Sequence, residues 1–350
     1  MNEISIASKK IGRSQKPFII AEMSGNHDQS LEKALKIIDQ ASECGADAIK
    51  LQTYTADDLT LDIHEKEFVI SDKKSLWYGE SLYKLYKRAY TPWEWHSTLF
   101  SHAKKKGIIC FSSPFSRSAV DKLEDLNAPA YKIASFENCH TKLIEKVAST
   151  GKPIIISIGM ASIEELNRAV TIVRENGNKN LILLKCTSTY PASPKNSNIL
   201  TIPHLRDLFK CEVGLSDHTM GIGTAIGSIA HGATIIEKHF TLSRESGGVD
   251  ADFSLEPSEM KLLVDESKHC WESLGEVFYG PTEAEKNSIG LRRSIYISRD
   301  MDKGEIFSEK NLRIIRPGKG LEPLYFDLAL GKKLKKSVKK GTPLSWELIL

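Results

Sequence analysis

Eight short runs rich in Ile, Val and Leu recur through the first 240 residues of this 350-residue chain, at 18–23, 48–52, 108–113, 130–135, 153–159, 181–187, 212–217 and 234–240. Their hydrophobicity is nearly continuous rather than alternating, which marks strands buried on both faces. Helical patterns stand between them. Leu31, Ala34, Leu35, Ile38 and Ala41 fall on one helix face, and Ser162-Ile-Glu-Glu165 is a capping box ahead of an Ile163, Leu166, Val170, Val173 stripe. Eight β-then-α units in succession predict an α/β fold, a (β/α)8 TIM barrel. A doubly wound open sheet is the alternative.

Active sites in such barrels form at the C-terminal ends of the strands. Those ends carry Glu22, Lys50 with Gln52, Ser113, Lys132 with Ser135, Ser157, Lys185 with Thr187, Ser216 with His218, and Glu237 with His239. An unpaired buried charge is costly, so this ring implies either an ionic ligand or Lys–Glu pairs closing the mouth. Strand parity sends Glu237 and His239 inward together and Lys238 to the helix layer, and it pairs Ser216 with His218 while excluding Asp217.

His218 and His239 end neighbouring strands, which lie about 4.8 Å apart, so the two imidazoles can share one cation. Two protein ligands leave positions for water and substrate, a catalytic rather than a structural pattern, and oxygen ligands there suit Mn²⁺ or a similar divalent ion. The competing reading is a pair of ordinary hydrogen-bonded histidines. Lys50 and Lys132, with Ser113, Ser135, Ser157 and Ser216, are an inventory for phosphate or carboxylate, and no Walker-type loop directs the guess to a nucleoside triphosphate. A compact enol phosphate acid would use every group. Glu22 is a general acid or base candidate, and Glu237 competes with it unless it pairs with a lysine.

The stretch 53–107 separates the second and third strands and carries Trp77, Tyr78, Tyr83, Tyr86, Tyr90, Trp93 and Trp95. It reads as a helix at 93–106 plus an insertion placed to cover the site. The barrel is expected over 1–275, a Gly- and Pro-containing linker over 276–290 and a small domain over 291–350. That last segment holds 14 Lys/Arg against 7 Asp/Glu, a net of +7, whereas the rest nets −4. Without interleaved aromatics this positive charge points to an anionic small substrate or an acidic neighbour ahead of nucleic acid. Six scattered cysteines suit a reducing compartment, and neither a leader nor a membrane span is expected, so the chain reads as cytoplasmic.

Several motifs fall together on these strand ends: Ile19-Ile-Ala-Glu-Met-Ser-Gly-Asn-His27, Gly45-Ala-Asp-Ala-Ile-Lys-Leu-Gln52, Ser113-Pro-Phe-Ser116, Tyr131-Lys-Ile-Ala-Ser135, Gly214-Leu-Ser-Asp-His218 and Glu237-Lys-His-Phe240. With them the chain resembles the sialic acid synthase family from about residue 4 to 350, and Arg316-Pro-Gly and Leu330-Gly-Lys-Lys333 resemble the antifreeze-protein-like (SAF) domain of those enzymes. Met23-Ser-Gly-Asn-His27 and Cys186-Thr-Ser-Thr-Tyr190 depart from the N-acetylmannosamine pattern and agree with the pseudaminic branch.

The resemblance implies condensation of phosphoenolpyruvate with 2,4-diacetamido-2,4,6-trideoxy-altrose, with N-acetylneuraminic or legionaminic acid synthesis as the alternative. It implies phosphoenolpyruvate contacts at Lys50, Ser113, Lys132, Ser135, Ser157, Ser188 and Ser216, and sugar contacts at Gln52, Tyr190 and Asp250. It implies metal ligation by His218 and His239, normally to Mn²⁺ with Mg²⁺ and Co²⁺ as alternatives, and proton relay by Glu22. It also implies a domain-swapped homodimer in which Arg316 enters the partner's barrel. Two rivals come from other classes. One is a carbohydrate-binding protein without chemistry, which has no need of this charged set. The other is an aldolase forming a Schiff base on Lys132 or Lys185.

Overall fold

A computed structural model describes residues 4–73 and 75–350. Residues 1–3, at the start of the stretch expected to hold no leader, and Lys74, inside the expected insertion, lie outside the described residues. The chain divides into two compact units, 1–275 and 276–350.

The first unit opens with an antiparallel hairpin, β1 (Ile4–Ile6) and β2 (Lys9–Ile11). Eight parallel strands follow: β3 (Phe18–Glu22), β4 (Ala48–Thr53), β5 (Ile109–Pro114), β6 (Tyr131–Ile133), β7 (Ile154–Ser157), β8 (Leu181–Cys186), β9 (Glu212–Asp217) and β10 (Ile235–His239). They close into a barrel because β10 pairs with β3 as well as β9. The open-sheet alternative is therefore excluded.

Parity organises the interior. Phe18, Ile20, Ala48, Phe111, Ala130, Ile155, Ile182, Leu184 and Ile235 pack inside the barrel with Ile4, Ile6 and Ile11 of the hairpin. Their neighbours in sequence, such as Ile19, Ile49, Tyr131, Ile154, Leu183 and Ile236, pack outward against the helices. Each fully buried aliphatic side chain contributes about 1.5–3 kcal/mol. Continuing the inward set along each strand reaches Glu22, Lys50, Ser113, Lys132, Ser157, Ser216 and Glu237. The barrel is thus apolar at its base and charged at its mouth. The same parity places Lys185 with the outward residues, where its ammonium donates to the Cys186 carbonyl at 2.8 Å.

The 53–107 stretch folds as short helices Ala56–Leu59 and Leu82–Ala89, a turn Lys66–Phe68 and a helix His96–Lys106. Ser81 caps the second helix by accepting from the Lys84 amide.

The second unit has its own apolar core, centred on Ile295, Ile297, Phe307, Leu312, Leu334 and Leu344. Its strands β11 (Ser294–Ile297) and β12 (Leu312–Ile315) pair antiparallel. Turns at 302–305 and 339–342 close with bonds of 3.1 Å each. The linker is more ordered than its composition predicts. Glu283–Leu291 forms 3-10 turns, started by a capping box between Thr282 and Glu285.

Candidate active site

The barrel mouth gathers Glu22, Lys50, Gln52, Ser113, Lys132, Ser135, Ser157, Tyr190, Ser216, His218 and His239 around one cavity. Ser188 and Asp250 adjoin it through Ser135 and His239. Arg316 lies in the second unit, exposed at the end of β12, and forms no hydrogen bond or ion pair among the described residues.

Both lysines are paired with carboxylates. Lys50 Nζ stands 2.5 Å from Glu22 Oε2 and 3.9 Å from Glu237 Oε1, and Lys132 Nζ lies 3.2 Å from the same Glu237 oxygen. The Lys–Glu pairs weighed as an alternative to a ligand site are therefore present. They do not displace the ligand reading, because four charges buried to within a few per cent must pair whenever the mouth holds no ligand. Among the residues lining the mouth, Ser157 Oγ, Glu237 Oε2, Glu22 Oε2 and His239 Nδ1 are buried without a hydrogen-bond partner among the described residues, the last two facing an opposite charge. Unsatisfied buried groups of this kind are expected where a ligand binds.

The two acidic candidates separate on geometry. Glu237 accepts from Lys132 and from Ser216 Oγ at 3.1 Å. Burial would raise its pKa, but Lys132 and Lys50 overcome that and hold it well below the ordinary carboxylate range. It is a fixed anion bridging two cations. Glu22 instead accepts from Gln52 Nε2 at 2.9 Å through Oε1 and meets Lys50 through Oε2, so one cation and one neutral donor orient it.

His218 and His239 stand next to each other, as the β9–β10 register requires, with ring centroids 5.4 Å apart. His218 Nδ1 lies 2.9 Å from the Thr187 carbonyl, and His239 Nδ1 lies 3.5 Å from Asp250 Oδ2. His218 is fixed through Nδ1 by that carbonyl, whereas His239 Nδ1 faces the carboxylate at ion-pair distance without a hydrogen bond, and neither Nε2 has a hydrogen-bond partner among the described residues. That is the arrangement of metal-ligating histidines, whose second nitrogen is fixed by a carbonyl or carboxylate. No group of three or more His, Cys, Asp or Glu among the described residues is arranged to hold a metal. The donor set fits an open catalytic ion rather than a closed structural one.

Other residues build the wall, and the strand-end reading missed them. Ser24 Oγ donates to Asp250 and accepts from Gln52 Nε2 at 3.0 Å. Asn26 donates to the Phe240 carbonyl and Ser254 Oγ, and it accepts from the Asp250 amide. His27 is fully buried against Trp95, and burial lowers it to about 4, so it is a neutral packing residue. The signal for Ser24 and Asn26 was present in the first motif, but spacing alone does not show what they hold. Asn138 donates to the Ser157 and Gly159 carbonyls and fixes the loop after β7. A Cβ on Gly159 would lie 2.1 Å from Ser188 Oγ, so only glycine lets that loop pass beside the Ser188–Ser135 hydrogen bond of 2.7 Å. Lys238, on the helix side, pairs with Asp217 at 3.1 Å.

Glu137, on the turn after Lys132, also escaped the sequence reading. Burial pushes its carboxyl up to about 7 against the pull of Lys132, and its Oε2 has no partner among the described residues. A carboxyl whose folded-state pKa is raised favours folding fully below about 4.5 and loses that contribution as pH rises through about 7. Wild type is expected to lose roughly 2–3 kcal/mol more stability than Glu137→Gln between about pH 4.5 and pH 8. Urea unfolding at both pH values measures this, and equal slopes for the two proteins would contradict it.

A sequence-family model described as the NeuB family matches residues 37–279, and one described as the SAF domain matches residues 292–350. The chain is 44% identical over 330 residues to a pseudaminic acid synthase of Campylobacter jejuni, covering 94% of this chain and 96% of that one. It is 42% identical over 333 residues to a pseudaminic acid synthase of Helicobacter pylori, covering 95% and 97%. Among solved structures, the N-acetylneuraminic acid (sialic acid) synthetase of Leptospira borgpetersenii in complex with citrate superposes with a TM-score of 0.74 at 33% identity, covering 82% of this chain and 95% of that one.

Proposed function

The chain belongs to the NeuB family, and from that membership and the barrel mouth we infer that it condenses phosphoenolpyruvate with 2,4-diacetamido-2,4,6-trideoxy-altrose, forming the nine-carbon 2-keto sugar acid and phosphate. It is a carbon–carbon bond-forming transferase of pseudaminic acid synthase type. The observation that carries the substrate assignment is the 44% identity to a pseudaminic acid synthase along nearly the whole of both chains.

Lys50 and Lys132 meet the phosphate and carboxylate of phosphoenolpyruvate, with Ser113, Ser135, Ser157, Ser188 and Ser216 as hydroxyl donors around them. Anion binding draws the ammonium groups partly away from Glu22 and Glu237, which frees a Glu22 oxygen to handle protons. Gln52, Tyr190 and Asp250 line the sugar side. His218 and His239 are the residues that would hold a divalent ion, Mn²⁺ foremost, and such an ion when bound supplies Lewis-acid polarisation of the sugar aldehyde.

Carbon 3 of phosphoenolpyruvate forms the new bond to the aldehyde carbon, whose oxygen takes up a proton and becomes a hydroxyl. Water adds at carbon 2, one of its protons passing through Glu22 to that oxygen, and as the carbon 2–oxygen bond to phosphate breaks, carbon 2 becomes the ketone and the second water proton leaves on the phosphate.

The reading includes a domain-swapped homodimer in which Arg316 completes the partner's site. Its support is an exposed guanidinium without a polar partner in its own unit, on a segment of net charge +7. No helix among the described residues is long and apolar enough to cross a membrane. The proposed compartment is the cytoplasm, where phosphoenolpyruvate is produced.

A phosphate-release assay tests the function. With Mn²⁺ and phosphoenolpyruvate, the altrose derivative is expected to give phosphate and keto acid one to one, and faster than N-acetylmannosamine or the legionaminic precursor. Release with none of the three would favour a binding protein. Faster release with either of the others would reassign the substrate.

A further inference from the structure

His239 is the less restrained of the two histidines. His218 has its Nδ1 contact with the Thr187 carbonyl and the Tyr190 ring at 4.5 Å, whereas His239 Nδ1 is buried without a hydrogen bond and only faces Asp250 Oδ2 at 3.5 Å. Tyr190 stands farther from His239, at 6.2 Å. The ring packed closest to the His239 imidazole is Phe253, with centroids 4.9 Å apart and planes at 61°, an edge-to-face contact. The same phenyl ring lies 5.3 Å from Tyr190 and 6.4 Å from His218. One side chain thus neighbours both imidazoles and the tyrosine beside them.

The backbone fixes Phe253 to the strand it serves. It ends the turn Ala251–Phe253, which the Ser254 amide closes on the Ala251 carbonyl at 3.0 Å. Two residues on, the Leu255 amide donates to the carbonyl of His239 itself at 2.8 Å, and Asn26 Nδ2 donates to Ser254 Oγ at 2.9 Å. The phenyl ring is buried, has no polar atom and does not line the mouth cavity, so it acts on a ligand only through the rings it packs against.

We propose that Phe253 is a positioning residue, whose ring holds the His239 imidazole in the orientation that lets it share one divalent ion with His218. The inference rests on the metal reading given above. The second torsion of a histidine is broad, and an imidazole with no hydrogen bond on its second nitrogen must be stopped from turning when it binds a metal. Packing that stops it beforehand removes that cost from binding. Partners that orient ligating histidines are worth roughly 10- to 100-fold in metal affinity, and a single ring contact belongs at the lower end.

The test measures Mn²⁺ affinity from the paramagnetic resonance signal of free Mn²⁺, in wild type, His218→Ala, Phe253→Ala and Phe253→Leu. Equilibrium binding of phosphoenolpyruvate without metal is measured beside it. Both Phe253 variants are expected to bind Mn²⁺ about 10-fold more weakly, to keep their phosphoenolpyruvate affinity, and to regain most of the wild-type kcat at saturating Mn²⁺. Phosphoenolpyruvate binding also reports whether Phe253→Ala is folded, and if it is not, the leucine variant alone decides. Unchanged Mn²⁺ affinity in the folded variants, with the ion lost in His218→Ala, overturns the role of Phe253. So does an equal loss of Mn²⁺ and phosphoenolpyruvate affinity, which a general loosening of the barrel would give. If His218→Ala keeps the wild-type Mn²⁺ affinity, the ion is held elsewhere and the metal reading falls, taking this proposal with it.

Discussion

Glu22→Gln is expected to lower kcat on the order of 10³-fold while phosphoenolpyruvate still binds. The substitution keeps the shape and leaves an oxygen to accept from Gln52, which now stands 2.9 Å from Glu22 Oε1. What it removes is the group proposed to take the proton from water. It also removes one of the two carboxylates beside Lys50, so the ammonium is freer to meet an anion and binding should not weaken. Glu237→Gln should behave differently. That carboxylate bridges Lys50 and Lys132, and its neutralisation leaves two close cations without their shared anion, so the loss should fall on stability and on KM. Equilibrium binding of phosphoenolpyruvate beside single-turnover phosphate release separates the two cases. Turnover of Glu22→Gln within about 10-fold of wild type would remove it from the proton-handling role.

The second large effect is expected at the histidine pair. His218→Ala and His239→Ala should each lose turnover by a factor on the order of 10³ and also lose bound Mn²⁺, and the double variant should be little worse than either alone. Residues that act as one unit fail together. Phosphoenolpyruvate affinity should change much less, since Lys50, Lys132, Ser113, Ser135, Ser157 and Ser188 stand on or after other strands. Atomic absorption on purified variants reads the metal, and full activity in a chelator-treated sample would contradict the assignment.

Much of this site follows from two local rules. A period of two along each strand decides which residues face the barrel axis, and the C-terminal end of the strand decides which of those meet solvent. Lys50, Lys132, Ser216 and His239 fall out of those rules without any long-range information, and so does the exclusion of Lys238. Charge pairing does not. The contact of Glu237 with Lys132 joins β10 to β6 across the barrel, 105 residues apart, and a list of polar strand ends is equally compatible with free and paired ammonium groups. Trp77 and Val249 meet across 172 residues. The aromatics of the insertion were visible, but an irregular segment has no periodicity from which to read where each ring points. Glu137 was hidden for another reason. Its perturbation comes from burial on a loop, and burial of a loop carboxylate leaves no pattern in the sequence.

The first motif teaches a narrower point. Met23-Ser-Gly-Asn-His27 looks like a run of site residues, yet His27 is packed against Trp95 and Asn26 ties down the 240–254 segment that carries Asp250. Two residues of that run shape the site without facing it. Ser24 alone reaches the polar network of the mouth, through Gln52 and Asp250.

The proposed chemistry needs one cation between two imidazoles, beside an anion pocket made of paired lysines. Anomalous diffraction from crystals grown with Mn²⁺ and phosphoenolpyruvate tests it most directly. The prediction is one manganese peak bonded to Nε2 of His218 and Nε2 of His239, with the phosphate and carboxylate of the ligand on Lys50 and Lys132. A peak elsewhere, or phosphoenolpyruvate bound away from both lysines, would contradict it.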